Sequence, residues 1–203
     1  TLKHDPIAEF QSSPYTLRDG PTLIGMLSTA FKAAMGTAAL DLPGATRSRI
    51  GRLVWVEGGV VPIYGVPQLL MSIVRSADFN RTPDVRSRAI LPEWAAIIRV
   101  SFVTPALRAP AIANLLNAAG RTAGIGDWRQ EKGSGDYGRF RLVDADNAAF
   151  QRIIATGGRV AQQQAMAAPE NYNTETEELL SWFMTTTPKR GFVPTLVTKE
   201  ATG

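Results

Sequence analysis

The residues best suited to chemistry lie in a glycine-rich stretch from Gly124 to Phe140. It combines glycines, cations and aromatic side chains, namely Gly124, Gly126, Gly133, Gly135, Gly138, Arg129, Lys132, Arg139, Trp128, Tyr137 and Phe140. Glycine lets the backbone approach a ligand closely, cations pair with phosphates, and aromatic rings stack on bases. The stretch therefore predicts a loop that contacts nucleic acid.

The predicted contacts fall into two sets. In the first set, backbone groups and cations would contact phosphates; these residues are Gly124, Gly126, Gly133, Gly135, Arg129, Lys132, Arg139 and Arg141. Trp128 or Tyr137 would stack on bases. Arg139 and Arg141 could instead be the polar face of an amphipathic strand. The second set is an Arg-rich segment whose Arg81, Arg86 and Arg88 would clamp the same strand. The alternative for this segment is a solvated loop in which arginines pair with Asp78 and Asp84.

Other chemistries find little support in the residue types. Residues 133–138 match GxGxxG, but a dinucleotide site needs a strand before this motif and a helix after it, and the predicted order here is the reverse. Cysteine is absent, which excludes thiolate metal sites and disulfides. Asp127, Glu131 and Asp136 could hold a divalent ion, although orienting the loop arginines is the favoured interpretation. The single histidine, His4, leaves a metal-independent ribonuclease as the enzymatic alternative. We therefore predict no catalytic residue, no metal and no cofactor.

Positive charge is concentrated in the middle of the chain. The 203 residues carry a net charge of +4, and residues 41–143 hold fourteen Lys/Arg against eight Asp/Glu. Arginine, which accounts for 17 of the 22 cations, offers a planar fork for phosphate and a face for stacking. A GC-rich genome would also enrich arginine. No apolar run is long enough to span a membrane and no signal-peptide segment opens the sequence, so we expect a cytoplasmic protein, in the host cytoplasm if phage-encoded.

The elements that must position these residues are predicted from periodicity and turn signals. We expect a short strand within 5–13, a helix over 21–38, a hairpin of 50–57 with 60–64, a short helix over 68–76, a strand over 93–103, a helix from Pro110 with Ile112, Leu115, Leu116 and Ala119 buried and Gly120 as its stop, a closing strand over 137–143, and helices over 147–156, 159–168 and 174–183. This order predicts an α+β fold with a ferredoxin-like βαββαβ core, like that of RNA-recognition modules. The core domain would span 1–143, with an Arg-rich insertion at 65–92. A mostly helical extension would follow over 144–203, with Trp182 and Phe183 as contacts to a neighbouring subunit.

Two resemblances bear on this expectation. The glycine loop, placed between the second helix and the last strand, resembles that of the RAMP superfamily, the RNA-binding backbone and processing proteins of CRISPR systems. The insertion at 65–92 is similar in placement to the thumb of the backbone proteins. The segment from Arg88 to Trp94, followed by the GIGDWR loop from Gly124, looks like a family of uncharacterised phage proteins, and this nearer resemblance covers about residues 20–143. His4 does not occupy the helix position of the catalytic residue in the processing enzymes.

The sequence thus leads to one functional expectation and two alternatives. The chain is expected to bind single-stranded RNA or DNA without catalysis, as a homo-oligomer or cooperative filament, in a phage or CRISPR-like context. It could instead be a structural protein that assembles through residues 144–203 without nucleic acid. The third reading is the metal-independent ribonuclease.

Overall fold

The computed structural model describes residues 5–75, 83–132 and 135–186, with Lys132 described by its backbone alone. The fold is α+β with antiparallel strand pairs, which confirms the predicted class. Its helices and strands in chain order are α1 (Pro6–Ser12), β1 (Tyr15–Thr16), β2 (Ile24–Leu27), α2 (Ser28–Ala38), α3 (Arg47–Leu53), β3 (Val54–Val56), β4 (Val60–Tyr64), β5 (Gln68–Arg75), β6 (Pro83–Ile90), β7 (Ala95–Ala96), β8 (Val100–Phe102), α4 (Ala109–Thr122), α5 (Ala148–Thr156), α6 (Arg159–Ala167) and α7 (Thr174–Thr186).

The chain forms two compact units, each built from separated segments. Unit 1 comprises residues 1–24, 64–95 and 152–203, and unit 2 comprises residues 25–63 and 96–151. The boundary predicted at 143/144 coincides with no border of either unit. Charge divides between them: unit 2 carries eleven Lys/Arg against seven Asp/Glu, whereas unit 1 carries eleven of each. The whole net positive charge of the chain therefore belongs to unit 2.

Unit 1 opens with a helix where a strand was predicted. Asp5 caps α1, because its Oδ1 accepts hydrogen bonds from the amides of Ile7 and Ala8 at 3.0 and 3.1 Å. Pro6 follows at the first helical position, where its missing N–H costs nothing. This pair of signals explains the helix, and Ile7 and Phe10 on its inner face are buried.

The insertion predicted as a short helix and an Arg-rich loop contains a paired β-ladder. Strands β5 and β6 are antiparallel over eight residues each, from Gln68 opposite Ile90 to Arg75 opposite Pro83. Leu69 and Met71 point inward from β5, as the period of two requires. They join a core shared with α1, α6 and α7, made of Ile7, Phe10, Leu69, Met71, Met166 and Phe183.

A single glutamine cross-links the segments of unit 1. The fully buried Gln162 of α6 accepts from the amides of Leu23 and Ile24 at 2.8 and 2.9 Å. Its Nε2 donates to the carbonyls of Gly65 and Gly157 at 2.9 and 3.1 Å. These long-range bonds fix residues 23 and 24 in an extended path. The helix predicted over 21–38 accordingly begins only at Ser28.

Unit 2 is organised around helices α2 and α4, which pack against each other. Four of the buried residues of α4 are Ile112, Leu115, Leu116 and Ala119, as the periodicity predicted. Two strand pairs accompany these helices: β2 pairs with β4, with Gly25 opposite Pro62, and β3 pairs with β8, with Val54 opposite Phe102.

The predicted hairpin of 50–57 with 60–64 is wrong. Thr46 caps a helix, α3, through a 3.2 Å hydrogen bond from the amide of Arg49 to its Oγ1. Only three residues of that run remain for β3, and they pair with β8 rather than with β4. The strand predicted over 93–103 is likewise divided into the two short strands β7 and β8. Local periodicity could not show these pairings, because the partners lie about forty residues away.

In the second half of the chain the predicted helices agree with the structure, whereas the predicted closing strand does not. The helices predicted over 147–156, 159–168 and 174–183 are confirmed as α5, α6 and α7. The closing strand predicted over 137–143 is absent, since those residues are irregular apart from an isolated bridge at Tyr137, and Leu142 is exposed. Among the described residues, no strand follows α4. The ferredoxin-like arrangement is therefore not confirmed.

Candidate nucleic-acid interface

The candidate site begins where the last turns of α4 meet the segment that ends the glycine loop. The amide of Phe140 donates to the carbonyl of Gly120 at 3.2 Å. A Cβ on Gly120 would lie 2.0 Å from the carbonyl oxygen of Phe140. Gly120 was predicted as the helix stop, but α4 continues to Thr122. A glycine is needed at position 120 because the backbones of α4 and of Phe140 cross there.

The loop closes on itself through a second contact of the same kind. Gly138 has a φ of 72°, its carbonyl accepts from the amide of Ile125 at 3.0 Å, and a Cβ there would lie 1.7 Å from the oxygen of Ile125. Gly135 packs as closely on the carbonyl of Trp128. The amide of Gly124 donates to Ala119 at 2.9 Å. At Gly124, Gly135 and Gly138 the loop backbone therefore packs against the chain's own carbonyls. The phosphate contacts expected of the loop glycines stay a prediction.

The crossing at Gly120 leaves a groove lined by arginines. An open cavity of about 490 Å³ is bordered by Gly120, Arg121, Arg139, Phe140 and Arg141. All three arginines are exposed. Phe140 forms the apolar base and packs edge-on against Phe31 of α2, with ring centroids 6.0 Å apart. The sequence predicted Arg139 and Arg141 as contacts but missed Arg121. The only signal for it is its place beside Gly120 in the last turn of α4.

The groove carries an excess of positive charge. Within the described ranges, the one carboxylate that forms an ion pair with these arginines is Asp136, whose Oδ1 lies 3.8 Å from Nη2 of Arg139. Arg121 and Arg141 form no ion pair with any described residue. Three guanidinium groups around one concave surface attract anions, and each can bind phosphate through a planar fork of donors.

An exposed aromatic pair lies in the same loop. The rings of Trp128 and Tyr137 are stacked, with centroids 6.2 Å apart and planes 20° from parallel. The exposed fractions are 47% for Trp128 and 36% for Tyr137. Trp128 also has a φ of 52°, the one non-glycine residue in the left-handed region within the described ranges. That conformation is unfavourable for a bulky side chain and is characteristic of functional sites.

Arg129 was predicted to contact phosphate, and the structure gives it a different setting. Its Nε lies 2.9 Å from Glu131 and its Nη1 donates to the carbonyl of Gly126 at 3.1 Å. Glu131 also accepts from Thr37 of α2 at 2.8 Å. Arg129 thus ties the loop together. The predicted orienting role of the acidic residues is confirmed for Glu131 and Asp136, each of which pairs with a loop arginine.

Arg86 and Arg88 of the second predicted set belong to unit 1, whereas the groove residues belong to unit 2. Arg86 of β6 pairs with Glu9 at 3.1 Å and with Asp84 at 3.0 Å, and Arg88 lies 3.6 Å from Glu9. The hydrogen bond to Glu9 raises the pKa of Arg86 above its ordinary value. The pair with Asp84 agrees with the alternative interpretation, in which the arginines of this segment pair with Asp78 and Asp84. The pairs with Glu9 of α1 were not predicted. Arg81, Asp78, Gly133, His4 and the side chain of Lys132 lie outside the described residues.

Of the two residues predicted to contact a neighbouring subunit, one is buried and the other is exposed. Phe183 is 3% exposed and belongs to the core of unit 1, so it is not available to a partner. Trp182 beside it on α7 is exposed.

The described residues were also searched for metal sites and for membrane-spanning helices. They contain no group of three or more His, Cys, Asp or Glu residues that could hold a metal ion. No helix among them is long and apolar enough to cross a bilayer.

Comparison with known proteins gave no match. No family model, no curated protein and no solved structure is similar to this chain at a significant level. The RAMP relationship therefore stays a prediction, and the functional argument depends on the geometry of unit 2.

Proposed function

We propose that unit 2 binds single-stranded nucleic acid without catalysis, through the arginine groove and the aromatic pair. One observation carries the proposal: Arg121, Arg139 and Arg141 surround a single open groove. The loop that leads into this groove presents the exposed stacked rings of Trp128 and Tyr137. Guanidinium groups would neutralise phosphates and the rings would stack on bases.

The shape of the site supports a polymer rather than a small nucleotide. Small-molecule sites are enclosed pockets that bury most of the ligand. This groove is open, and its guanidinium groups come from both segments that border it, Arg121 from α4 and Arg139 and Arg141 from the segment around Phe140. The aromatic pair favours single strands, because bases stacked within a duplex cannot reach a protein ring without unstacking.

The distribution of charge supports the same conclusion. The net charge of +4 lies entirely in unit 2, which holds the groove, whereas unit 1 is neutral. Nucleic-acid binding surfaces commonly show this kind of segregation. The arginines of β6 are paired within unit 1, so we place the site on unit 2 alone.

The proposal is tested by fluorescence anisotropy of labelled single-stranded RNA and DNA of about 12 nucleotides, with a duplex of the same sequence as control. Neutralisation of three phosphates predicts that the logarithm of the binding constant falls with the logarithm of salt concentration with a slope of about −2. The oligonucleotides should remain intact on a denaturing gel. Absence of saturable binding at low salt, to both RNA and DNA, would refute the proposal.

The predicted assembly remains a separate proposal, supported by one observation. Trp182, at 49% exposure, lies on an open face of α7 with Glu178 and Ser181. Oligomers that survive nuclease treatment and dissociate on Trp182→Ala would establish it. The phage and RAMP context is likewise a proposal, supported by the position of the glycine loop directly after α4.

A further inference from the structure

A second aromatic and cationic pair lies in unit 2, outside the glycine loop. Trp55, in the middle of β3, is 46% exposed, whereas its neighbours Val54 and Val56 are buried. Its partner in the ladder is Ser101 of β8. Nζ of Lys32 lies 5.7 Å from the centroid of the Trp55 ring. The outer face of this two-stranded sheet therefore presents an indole with a cation against it.

Contacts on α2 connect this pair to the arginine groove. Phe140 lines the groove and packs against Phe31, and Lys32 is the next residue of α2. The path from the groove to Trp55 has two contacts of about 6 Å, between the rings of Phe140 and Phe31 and between Lys32 and the Trp55 ring. Between these contacts, Phe31 and Lys32 are joined by a peptide bond. The rings of Phe140 and Trp55 are thus no more than about 30 Å apart, given 3.8 Å between consecutive Cα atoms and the reach of the side chains.

We infer that Trp55 and Lys32 are a second contact for the same single strand, with a base on the indole and a phosphate at the ammonium group. The inference rests on the proposed function of the groove. It extends the site from the glycine loop across α2 to β3, within unit 2. The combination of an exposed ring and a cation is that of sequence-independent single-strand binding, in which rings hold bases and cations follow the backbone.

A purely structural role for the pair is the competing explanation. A lysine above an indole contributes modestly to stability at an exposed site, and that role requires no ligand. The two explanations differ in one respect. A structural pair affects every oligonucleotide equally, whereas a second contact affects only those long enough to reach from the groove to Trp55.

The test is therefore binding as a function of length. Poly-uridine and poly-thymidine oligonucleotides of about 4 and about 12 nucleotides are titrated against the wild-type chain and Trp55→Ala. We expect Trp55→Ala to weaken binding of the longer oligonucleotides roughly tenfold and to leave the shorter ones, held by the three arginines, within about twofold. Trp55→Phe should restore most of the loss, because a phenyl ring also stacks. Tyr15→Ala is the matched control, an exposed aromatic of unit 1.

Lys32→Gln provides a second measurement that does not remove the ring. It should reduce the salt slope by about 0.7 for the longer oligonucleotides only. Equal effects of both variants on the two lengths, or no effect on either, would overturn the inference while leaving the groove proposal intact. If the wild-type chain binds neither length at low salt, the proposed function fails, and the inference fails with it.

Discussion

The Cβ position of Gly120 lies 2.0 Å from the carbonyl oxygen of Phe140, closer than any real side chain permits. This contact presses the irregular segment after the glycine loop onto α4. It places Arg139 and Arg141, the two chain neighbours of Phe140, along the same groove as Arg121. The groove thus exists because a helix and an irregular segment cross at a residue without a side chain.

Gly120→Ala should destabilise unit 2, because the added methyl group must displace the Phe140 backbone. The expected loss is about 2 kcal/mol, within the range for overpacked sites. Gly51→Ala is the matched control, since Gly51 is also helical and its Cβ would meet nothing within 4 Å. That substitution should stabilise the chain by about 0.5 to 1 kcal/mol. Urea denaturation followed by circular dichroism measures both, and equal effects would contradict the packing role of Gly120.

Trp128→Gly should separate binding from stability. Glycine adopts the left-handed φ of 52° without strain, which offsets the loss of the ring contact with Tyr137. We therefore expect the free energy of unfolding to stay within about 1 kcal/mol of wild type. Affinity for single strands should fall roughly tenfold, through loss of base stacking. Unchanged affinity measured by anisotropy would show that Trp128 has no part in binding.

Gln162→Leu should strongly destabilise unit 1. The change leaves the amides of Leu23 and Ile24 and the carbonyl of Gly65 without the partner that Gln162 provides. The carbonyl of Gly157 keeps the amide of Gly65 at 2.9 Å. We expect a loss of about 3 to 5 kcal/mol, because unsatisfied buried polar groups cost more than a hydrogen bond contributes. Gln163→Leu, on the exposed side of the same helix, should change stability by less than about 0.5 kcal/mol. Similar denaturation midpoints for the two variants would exclude the cross-linking role of Gln162.

The ion pair of Glu93 and Arg152 should make stability depend on pH in the acidic range. Its two hydrogen bonds measure 2.8 and 2.9 Å. They, and then the charge of Arg152, lower the pKa of Glu93 below its ordinary value of 4.5. Since the folded pKa is the lower one, the stabilisation is complete above the ordinary value and is lost as the pH falls through the folded pKa.

Glu93→Gln should therefore lower the thermal midpoint slightly at about pH 7, with the difference from wild type diminishing as the pH is lowered below 4.5. Glu170→Gln, which removes an exposed carboxylate of unit 1 without touching this ion pair, is the control. A difference for Glu93→Gln that persists undiminished at the lower pH would rule out the ion pair as its cause.

Local signals predicted α2 and α4 to α7, but they missed α1 and α3 and predicted the strands poorly. The stripe of Ile112, Leu115 and Leu116 identified α4, because a helix makes its hydrogen bonds within itself. A strand is defined by a partner elsewhere, and the sequence around Val54 could not show that β3 pairs with β8 rather than with β4. Residues 137–143 alternate like a strand but have no ladder to join.

The candidate site was predicted in part. Arg139, Arg141, Trp128 and Tyr137 are exposed, as contacts with a nucleic acid would require, and their role in binding stays a prediction from residue type. Arg121 was missed, since its role arises from the crossing of α4 with a segment about twenty residues later in the chain. Arg129 was assigned to phosphate because its pairing with Glu131 depends on how the loop folds.

The most direct test of the account is single-strand binding by the double variant Arg139→Gln/Arg141→Gln, measured by anisotropy over a range of salt concentrations. The control is Arg18→Gln/Arg75→Gln, which removes the same charge from exposed positions of unit 1. We expect the groove variant to lose about a hundredfold in affinity, with the salt slope reduced by about 1.4, and the control to remain within about threefold of wild type. Equal losses in both variants, or wild-type binding by the groove variant, would contradict the account.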